Sequence, residues 1–114
     1  MTTKLGSFGE AQAADYFLDR GGIILGRNVR YTCGEIDLIV QLNGQVVFVE
    51  VKTRSTADFG AAEAVTPRKF SRLKRAAARW LEGQPYREVR FDVLVFLLDE
   101  GTVQHFEGID CGAC

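Results

Sequence analysis

The stretch GEIDLIVQLNGQVVFVEVKTR, residues 34–54, decides the fold of this chain. Two alternating apolar runs flank Asn43-Gly44. Asn-Gly between such runs is the strongest short-range signal for a β-hairpin, because both residues tolerate the positive φ of a type I′ turn. If Asn43 and Gly44 form the loop, Leu42 pairs with Gln45, and this pairing predicts the register of the whole hairpin.

The predicted register separates two unlike faces, because side chains alternate between the faces of a strand. One face is wholly apolar, with the opposed pairs Val40–Val47, Leu38–Val49 and Ile36–Val51. The other face carries the opposed pairs Ile39–Phe48, Asp37–Glu50 and Glu35–Lys52. The hairpin therefore combines a core-forming face with a face on which charges meet.

The opposed carboxylates of Asp37 and Glu50 are the unusual feature of that second face. Like charges in opposed positions destabilise a sheet, and two adjacent carboxylates raise one pKa. A divalent cation would remove the conflict, since Mg²⁺ uses one or two carboxylates together with waters and phosphates. Lys52 would neutralise Glu50 or orient a water beside the metal. The alternative is an ordinary cross-strand salt bridge between Lys52 and Glu35 on a solvated face.

The whole chain sets bounds on these interpretations. Its 114 residues suit one domain over residues 1–114, and its composition is ordinary for a soluble globular protein. The N-terminus lacks a basic and apolar signal segment, and no apolar run approaches membrane length, so we expect a cytoplasmic protein. Three cysteines do not suggest a disulfide framework. With a net charge of −1, binding of an acidic partner requires local basic patches.

Helices interleaved with strands predict an α/β fold with a mixed sheet covered by helices. The predicted elements are a helix over residues 7–20, strands over 23–30, the two hairpin strands, a helix from Thr66-Pro67 to about Leu81, and strands over 89–98 and 102–106. Thr66 is expected to be the N-cap of the second helix and Pro67 to lie in its first turn. The fifth strand is expected at an edge of the sheet.

Glu10 heads the apolar face of the first predicted helix. The helical spacing places five residues on that face: Glu10, Ala13, Ala14, Phe17 and Leu18. The glutamate would therefore point towards the sheet as an additional carboxylate for a metal. The alternative is a capping box, in which Glu10 reaches back to the backbone N–H of Ser7.

The second predicted helix has one strongly basic face. Six cations and no acid fall between residues 68 and 79: Arg68, Lys69, Arg72, Lys74, Arg75 and Arg79. Arg27, Arg30 and Arg54 add positive charge near the predicted end of the sheet. Such a concentration suits phosphate contacts, which are electrostatic and salt-sensitive. The alternative is the solvated face of a surface helix.

Three other features are assigned structural roles. His105, the only histidine, is expected to be structural on an exposed strand. Asp92 is expected to form an ion pair with an arginine such as Arg90 or Arg30. The terminal Cys111 and Cys114 are interpreted as variation within a tail, about residues 108–114, for which disorder is expected.

Six segments carry a resemblance to a known family. They are GEAQAADYFLDRGG, GRNVR, GEIDLIV, VVFVEVKTR, TPRKFSRLKRAAARWL and RFDVLVF. Together they closely resemble the bacterial YraN-like family over about residues 6–105. Asp37 followed by Glu50-Val51-Lys52 also resembles the D…ExK signature of the PD-(D/E)xK nuclease superfamily.

The resemblance implies a single-domain restriction-endonuclease-like fold, with a central mixed five-stranded sheet flanked by helices, similar to archaeal Holliday-junction resolvases. It implies a metal-dependent endonuclease that cuts DNA, including branched DNA. Asp37 and Glu50 match the metal-binding acids, Lys52 matches the catalytic lysine, and Glu10 matches a helix-borne glutamate that is both catalytic and metal-binding.

The resemblance also implies a set of cofactors and partners. Mg²⁺ or Mn²⁺ is the expected cofactor, with no organic cofactor, no membrane association and a homodimeric state by analogy. The residues expected to hold the nucleic-acid backbone are Arg54, Arg68, Lys69, Arg72, Arg75 and Arg79. Two alternatives stay open, which are a catalytically silent nucleic-acid-binding module and a protein-interaction module of the same fold.

Overall fold

The computed structural model describes residues 4–54 and 66–109. Its elements are α1 (Lys4–Asp19), β1 (Ile23–Tyr31), β2 (Gly34–Leu42), β3 (Gln45–Arg54), α2 (Pro67–Leu81), β4 (Glu88–Leu97) and β5 (Thr102–Phe106). The five strands form one sheet in the order β1-β2-β3-β4-β5, and only the β3–β4 pair is parallel. The predicted α/β architecture is confirmed, including the position of β5 at an edge.

The hairpin follows the predicted register in its loop-proximal half. Asn43 and Gly44 have φ values of 52° and 80°, as a type I′ loop requires. Pairing then runs without interruption from Leu42–Gln45 to Leu38–Val49. The ladder ends there, so the predicted pairs beyond it, including Asp37–Glu50, are not ladder partners. The two strands diverge at the end that carries the acidic residues.

Helix α1 covers one face of the sheet. It begins at Lys4, three residues earlier than predicted, so Ser7 lies inside the helix and cannot be its N-cap. Ala13, Ala14 and Phe17 are buried against the apolar face of the hairpin. Leu18 is 48% exposed, which corrects its predicted place in the buried stripe.

Helix α2 covers the opposite face and connects the parallel strands β3 and β4. Thr66 is the predicted N-cap, and its hydroxyl accepts a hydrogen bond from the backbone N–H of Lys69. The apolar side of the helix packs on Ile39, Val46 and Phe48 with the residues Phe70, Leu73, Ala76 and Ala77. The helix lies so close to β2 that a Cβ on Gly34 would overlap the carbonyl oxygen of Arg72. Only glycine fits this position without moving the helix.

The alternation of faces along β2 breaks at Asp37. Leu38 packs on the α1 side of the sheet, whereas Ile36 packs on the α2 side. The prediction that Ile36 shares a face with Leu38 is therefore wrong. The break places Asp37 between the two layers, which a regular strand would not do.

A buried polar network joins α1, β4 and β5. Asp92 is fully buried, and its carboxylate accepts two hydrogen bonds of 2.9 Å from Arg90, as the ion-pair prediction required. His105 Nε2 donates to Asp92 at 2.7 Å, and its Nδ1 accepts from the Tyr16 hydroxyl at 3.0 Å. His105 is therefore structural as predicted, but it is half-buried rather than exposed.

The C-terminal segment continues this network as far as it is described. The backbone N–H of Gly108 donates to Asp92, and that of Ile109 donates to the carbonyl of Phe91. The tail for which disorder is expected, about residues 108–114, begins with these two hydrogen-bonded residues, and its remaining part, which includes Cys111 and Cys114, lies outside the described residues. Among the helices of residues 4–54 and 66–109, none is long and apolar enough to cross a membrane.

Candidate active site

Asp37 lies at a point where both neighbouring ladders are interrupted. The β2–β3 ladder ends at Leu38–Val49, next to it. On the other side, the β1–β2 ladder forms the pairs before and after Asn28 and Asp37 but not that pair itself. The backbone N–H of Val51 instead donates to the Asp37 carboxylate at 2.9 Å. The side chain of Asp37 thus occupies the gap left by the diverging strands.

The environment of Asp37 favours its protonated form. Burial is the main cause, and the charge of Glu50 is the second; together they raise the pKa of Asp37 from 3.8 to about 7. The hydrogen bond from Val51 and the charge of Lys52 act in the opposite direction, and the charge of Glu10 adds to the rise. The repulsion between Asp37 and Glu50 expected from the sequence is therefore present, although they are not ladder partners.

Lys52 pairs with Glu50 on the α2 side of the sheet. The Lys52 ammonium nitrogen lies 3.1 Å from Glu50 Oε1, and both side chains are largely buried. Burial alone would lower the pKa of Lys52, but the charge and hydrogen bond of Glu50 outweigh it and raise that pKa. Glu35 pairs instead with Arg30 at 3.7 Å, so the alternative Lys52–Glu35 salt bridge is not formed.

Lys69 from the first turn of α2 lies beside Lys52. Close contact with Lys52 and its charge lower the pKa of Lys69, and burial and the charge of Arg54 contribute in the same direction. Two lysines thus share the neighbourhood of the Glu50 carboxylate. This excess of positive charge is the electrostatic condition that attracts a phosphate.

A recess of about 420 Å³ opens between the acidic end of the hairpin and α2. Its lining is strongly charged and consists of Glu35, Glu50, Lys52, Thr66, Arg68, Lys69, Arg72 and Leu73. The recess combines three of the cations predicted on α2 with the candidate acid Glu50 and the candidate lysine Lys52. Strand β3 contributes Glu50 and Lys52, the two charged residues of the ExK motif, to this lining.

The model of the family described as "Uncharacterised protein family UPF0102" matches residues 9–96, most of the chain. The chain belongs to this family. The family match begins at Gly9 in α1 and ends at Phe96 in β4, so it spans the acids, Lys52 and the basic helix.

Relatives within the UPF0102 family match over almost their whole length. A UPF0102 protein of Corynebacterium efficiens is 53% identical over 96% of this chain and 94% of its own length. One of Corynebacterium glutamicum is 51% identical over 96% and 93%, respectively. A more distant one, of Syntrophomonas wolfei, is 44% identical over 89% and 90%. The family membership predicted from the sequence motifs is confirmed.

Three cations of the predicted nucleic-acid set lie outside the recess lining. The Arg54 guanidinium donates to the carbonyl of Thr53 at 3.2 Å and remains near Lys69. Arg79 lies 5.6 Å from the ring centroid of Tyr31 and 3.8 Å from Glu82. Arg75 is exposed on α2. These side chains extend the basic surface beyond the recess.

The donor set fits a hard divalent cation that also binds substrate. No group of three or more His, Cys, Asp or Glu side chains within the described residues forms a ready-made metal cluster. Glu50 nevertheless lies close enough to Asp37 to raise its pKa, and both side chains supply oxygen ligands. One or two carboxylates completed by waters and substrate phosphates are the usual arrangement for Mg²⁺. The chemistry of the donors therefore suits Mg²⁺ or Mn²⁺.

Two parts of the site escaped the sequence analysis. Asn28 donates from its amide Nδ2 to Glu10 Oε2 at 3.0 Å, and this bond connects β1 with α1. The pairing of Arg30 with Glu35 was also missed, whereas the contact of Lys52 with Glu50 is one of the two roles expected for Lys52. The GRNVR segment held the only signal for Asn28, since asparagine is among the residues that most tolerate positive φ.

Proposed function

We propose that this UPF0102 protein is a metal-dependent endonuclease that hydrolyses phosphodiester bonds in DNA. The observation that carries the proposal is the gathering of Asp37, Glu50 and Lys52 at the diverging end of the hairpin. A basic recess that holds Lys69 adjoins them. Acids that share a site, a lysine and a phosphate-binding surface are the parts that phosphodiester hydrolysis needs.

Asp37 and Glu50 would hold the cation, and Glu10 would join them from the α1 side. When bound, a divalent cation supplies a water of lowered pKa and neutralises charge on the scissile phosphate. The Val51 N–H keeps the Asp37 carboxylate oriented in the gap between the strands. The Lys52 ammonium group, held by Glu50, orients the attacking water or stabilises the negative charge that develops on the phosphate.

Hydrolysis then follows an in-line displacement. The water oxygen forms a bond to phosphorus, the ester P–O bond breaks, and the leaving oxygen takes up a proton. Lys69, Arg68 and Arg72 would bind the phosphate backbone around the cut, because they line the recess next to the reacting group. Arg54, Arg75 and Arg79 would hold more distant phosphates. This binding does not depend on base identity.

The test is a single-turnover cleavage assay on labelled single-stranded, duplex, flap and four-way-junction DNA in Mg²⁺, Mn²⁺ or EDTA. We expect cleavage by the parent protein only when a metal is present. Asp37→Ala and Lys52→Ala should each lower the rate by about 10²-fold or more, a typical loss for a group that stabilises developing charge. Preference for the flap or junction would support branched DNA as the substrate class.

Two matched controls keep the assay interpretable. Asp99→Asn removes an exposed acid in the β4–β5 turn, and Lys74→Ala removes a cation that lies 5.0 Å from the ring centroid of Phe70, away from the recess lining. Both should cleave within about twofold of the parent, as expected for surface substitutions. Equal cleavage by the parent, Asp37→Ala and Lys52→Ala would refute the site assignment.

A catalytically silent nucleic-acid-binding module is the second candidate function. The basic recess supports it, and so does the lack of a three-residue metal cluster in the described part of the chain. Salt-sensitive DNA binding without cleavage in either metal would favour this candidate. Binding to a protein partner in a direct pull-down, with no DNA affinity, would favour a protein-interaction module. Sedimentation of the free protein tests the proposed homodimer.

A further inference from the structure

Asn28 lies on β1 opposite Asp37, and its backbone conformation is unusual. The β1–β2 ladder omits the Asn28–Asp37 pair although it forms the neighbouring pairs on both sides. Asn28 has φ of 50°, in the left-handed region that few residues with a Cβ adopt. Backbone strain of this kind persists where the surrounding structure enforces it, and it clusters at functional sites. Because Asn28 lies beside Asp37, we next consider which group its side chain contacts.

The amide of Asn28 binds the carboxylate of Glu10. Asn28 Nδ2 lies 3.0 Å from Glu10 Oε2. An ionised carboxylate can only accept hydrogen bonds, so the amide nitrogen must be the group that faces Glu10. The bond joins strand β1 to helix α1, and Glu10 in turn acts electrostatically on Asp37. Asn28 is therefore connected to the site through one carboxylate.

The site receives acidic groups from both sides of the sheet. Glu10 approaches from α1, whereas Glu50 and Lys52 lie on the α2 side. Asp37 stands between them because the alternation of β2 breaks there. Glu10 is a long side chain that is only half-buried, and such a side chain samples several rotamers unless a partner fixes it. In this structure, Asn28 is the hydrogen-bond partner of Glu10.

Resting on the proposed function, we propose that Asn28 is a positioning residue whose amide holds the Glu10 carboxylate beside Asp37, so that acids from both sides of the sheet share one divalent cation. The strained backbone of Asn28 is what directs its amide at Glu10.

The test measures Mn²⁺ binding without DNA, from the free Mn²⁺ signal in electron paramagnetic resonance, together with cleavage. Asn28→Gly keeps the left-handed backbone accessible and removes only the amide. We expect it to weaken Mn²⁺ binding by about tenfold, a typical loss when the partner of a metal ligand is removed. In a Glu10→Gln background the same change should have no further effect, because the carboxylate it positions is already gone.

Asn43→Gly is the matched control, since Asn43 has nearly the same φ at the distal hairpin loop. It should leave Mn²⁺ binding unchanged. Equal losses from Asn28→Gly in the parent and in Glu10→Gln would overturn the proposal, as would a parent protein that binds no Mn²⁺. The expected Mn²⁺ pattern without any DNA cleavage would support the positioning role and reject the nuclease. Metal-dependent cleavage with unchanged Mn²⁺ affinity in Asn28→Gly would reject the positioning role and support the nuclease.

Discussion

Replacing Asp37 by asparagine should make the metal-free protein more stable at neutral and alkaline pH. The substitution keeps the shape of the side chain and the oxygen that accepts the hydrogen bond from Val51. It removes the charge, which burial and Glu50 disfavour. A folded-state pKa above the unfolded value means that the folded protein binds the proton more tightly, so the parent loses stability as pH rises through that interval.

The magnitude follows from the two pKa values of Asp37. The unfolded chain has the ordinary value of 3.8, and the folded protein has about 7. At about 1.36 kcal/mol for each pH unit, the ionised carboxylate costs the parent up to about 4 kcal/mol of unfolding free energy above pH 7. The advantage of Asp37→Asn should be small at pH 4, grow steadily between pH 4 and 7, and then level off.

Urea unfolding of the parent and Asp37→Asn in EDTA, at intervals from pH 4 to 9, measures this difference directly. Adding Mg²⁺ should stabilise the parent and leave Asp37→Asn almost unchanged, since ligand binding to the folded state alone raises stability. Glu50→Gln should leave the onset of the parent's loss of stability near pH 4, but move its end to lower pH and reduce its size, because it removes the second cause of the raised pKa. A stability difference between parent and Asp37→Asn that is the same at every pH would refute the reasoning.

Two further predictions concern the rest of the molecule. Asp92→Asn should cost about 3 kcal/mol at pH 7, because it leaves the Arg90 guanidinium without its buried partner. Although burial alone would raise the pKa of Asp92, hydrogen bonds from His105 and Arg90 outweigh it and lower that pKa. The penalty should therefore be full above pH 3.8 and shrink as pH falls below it, the opposite trend to Asp37, in the same urea titration. Arg72→Ala should weaken DNA binding on all sequences and reduce the slope of log affinity against log salt by about one, measured by fluorescence anisotropy. A slope equal to that of the parent would exclude a phosphate contact at Arg72.

Short local sequence signals were sufficient to predict most of the fold. The Asn43-Gly44 loop sets the hairpin register through backbone conformation alone, and the register holds as far as Leu38–Val49. Thr66-Pro67 likewise defines the start of α2 through N-cap chemistry. Such signals act within a few residues, so one sequence suffices to identify them.

The parts that could not be predicted depend on contacts between distant segments. The β2–β3 ladder ends beside Asp37, which lies opposite Asn28 of another strand, and Ile36 packs on the face opposite to the predicted one. The burial of His105 requires Tyr16, which α1 brings from the other end of the chain. Residues of the site were identifiable by type, but their partners were not, because these depend on how the strands separate.

The near contact of Gly34 with the carbonyl of Arg72 also bears on how the family can vary. Because main chain meets main chain there, the spacing between the acidic strand end and the cations of α2 is set by the backbone, not by the volume of the core side chains. Buried residues of the helix that do not line the recess, such as Ala76 and Ala77, can therefore change in size over evolution at a cost in stability alone. A side chain at position 34 would instead change the width of the recess, so tolerance to substitution should be lowest at a residue with no side chain.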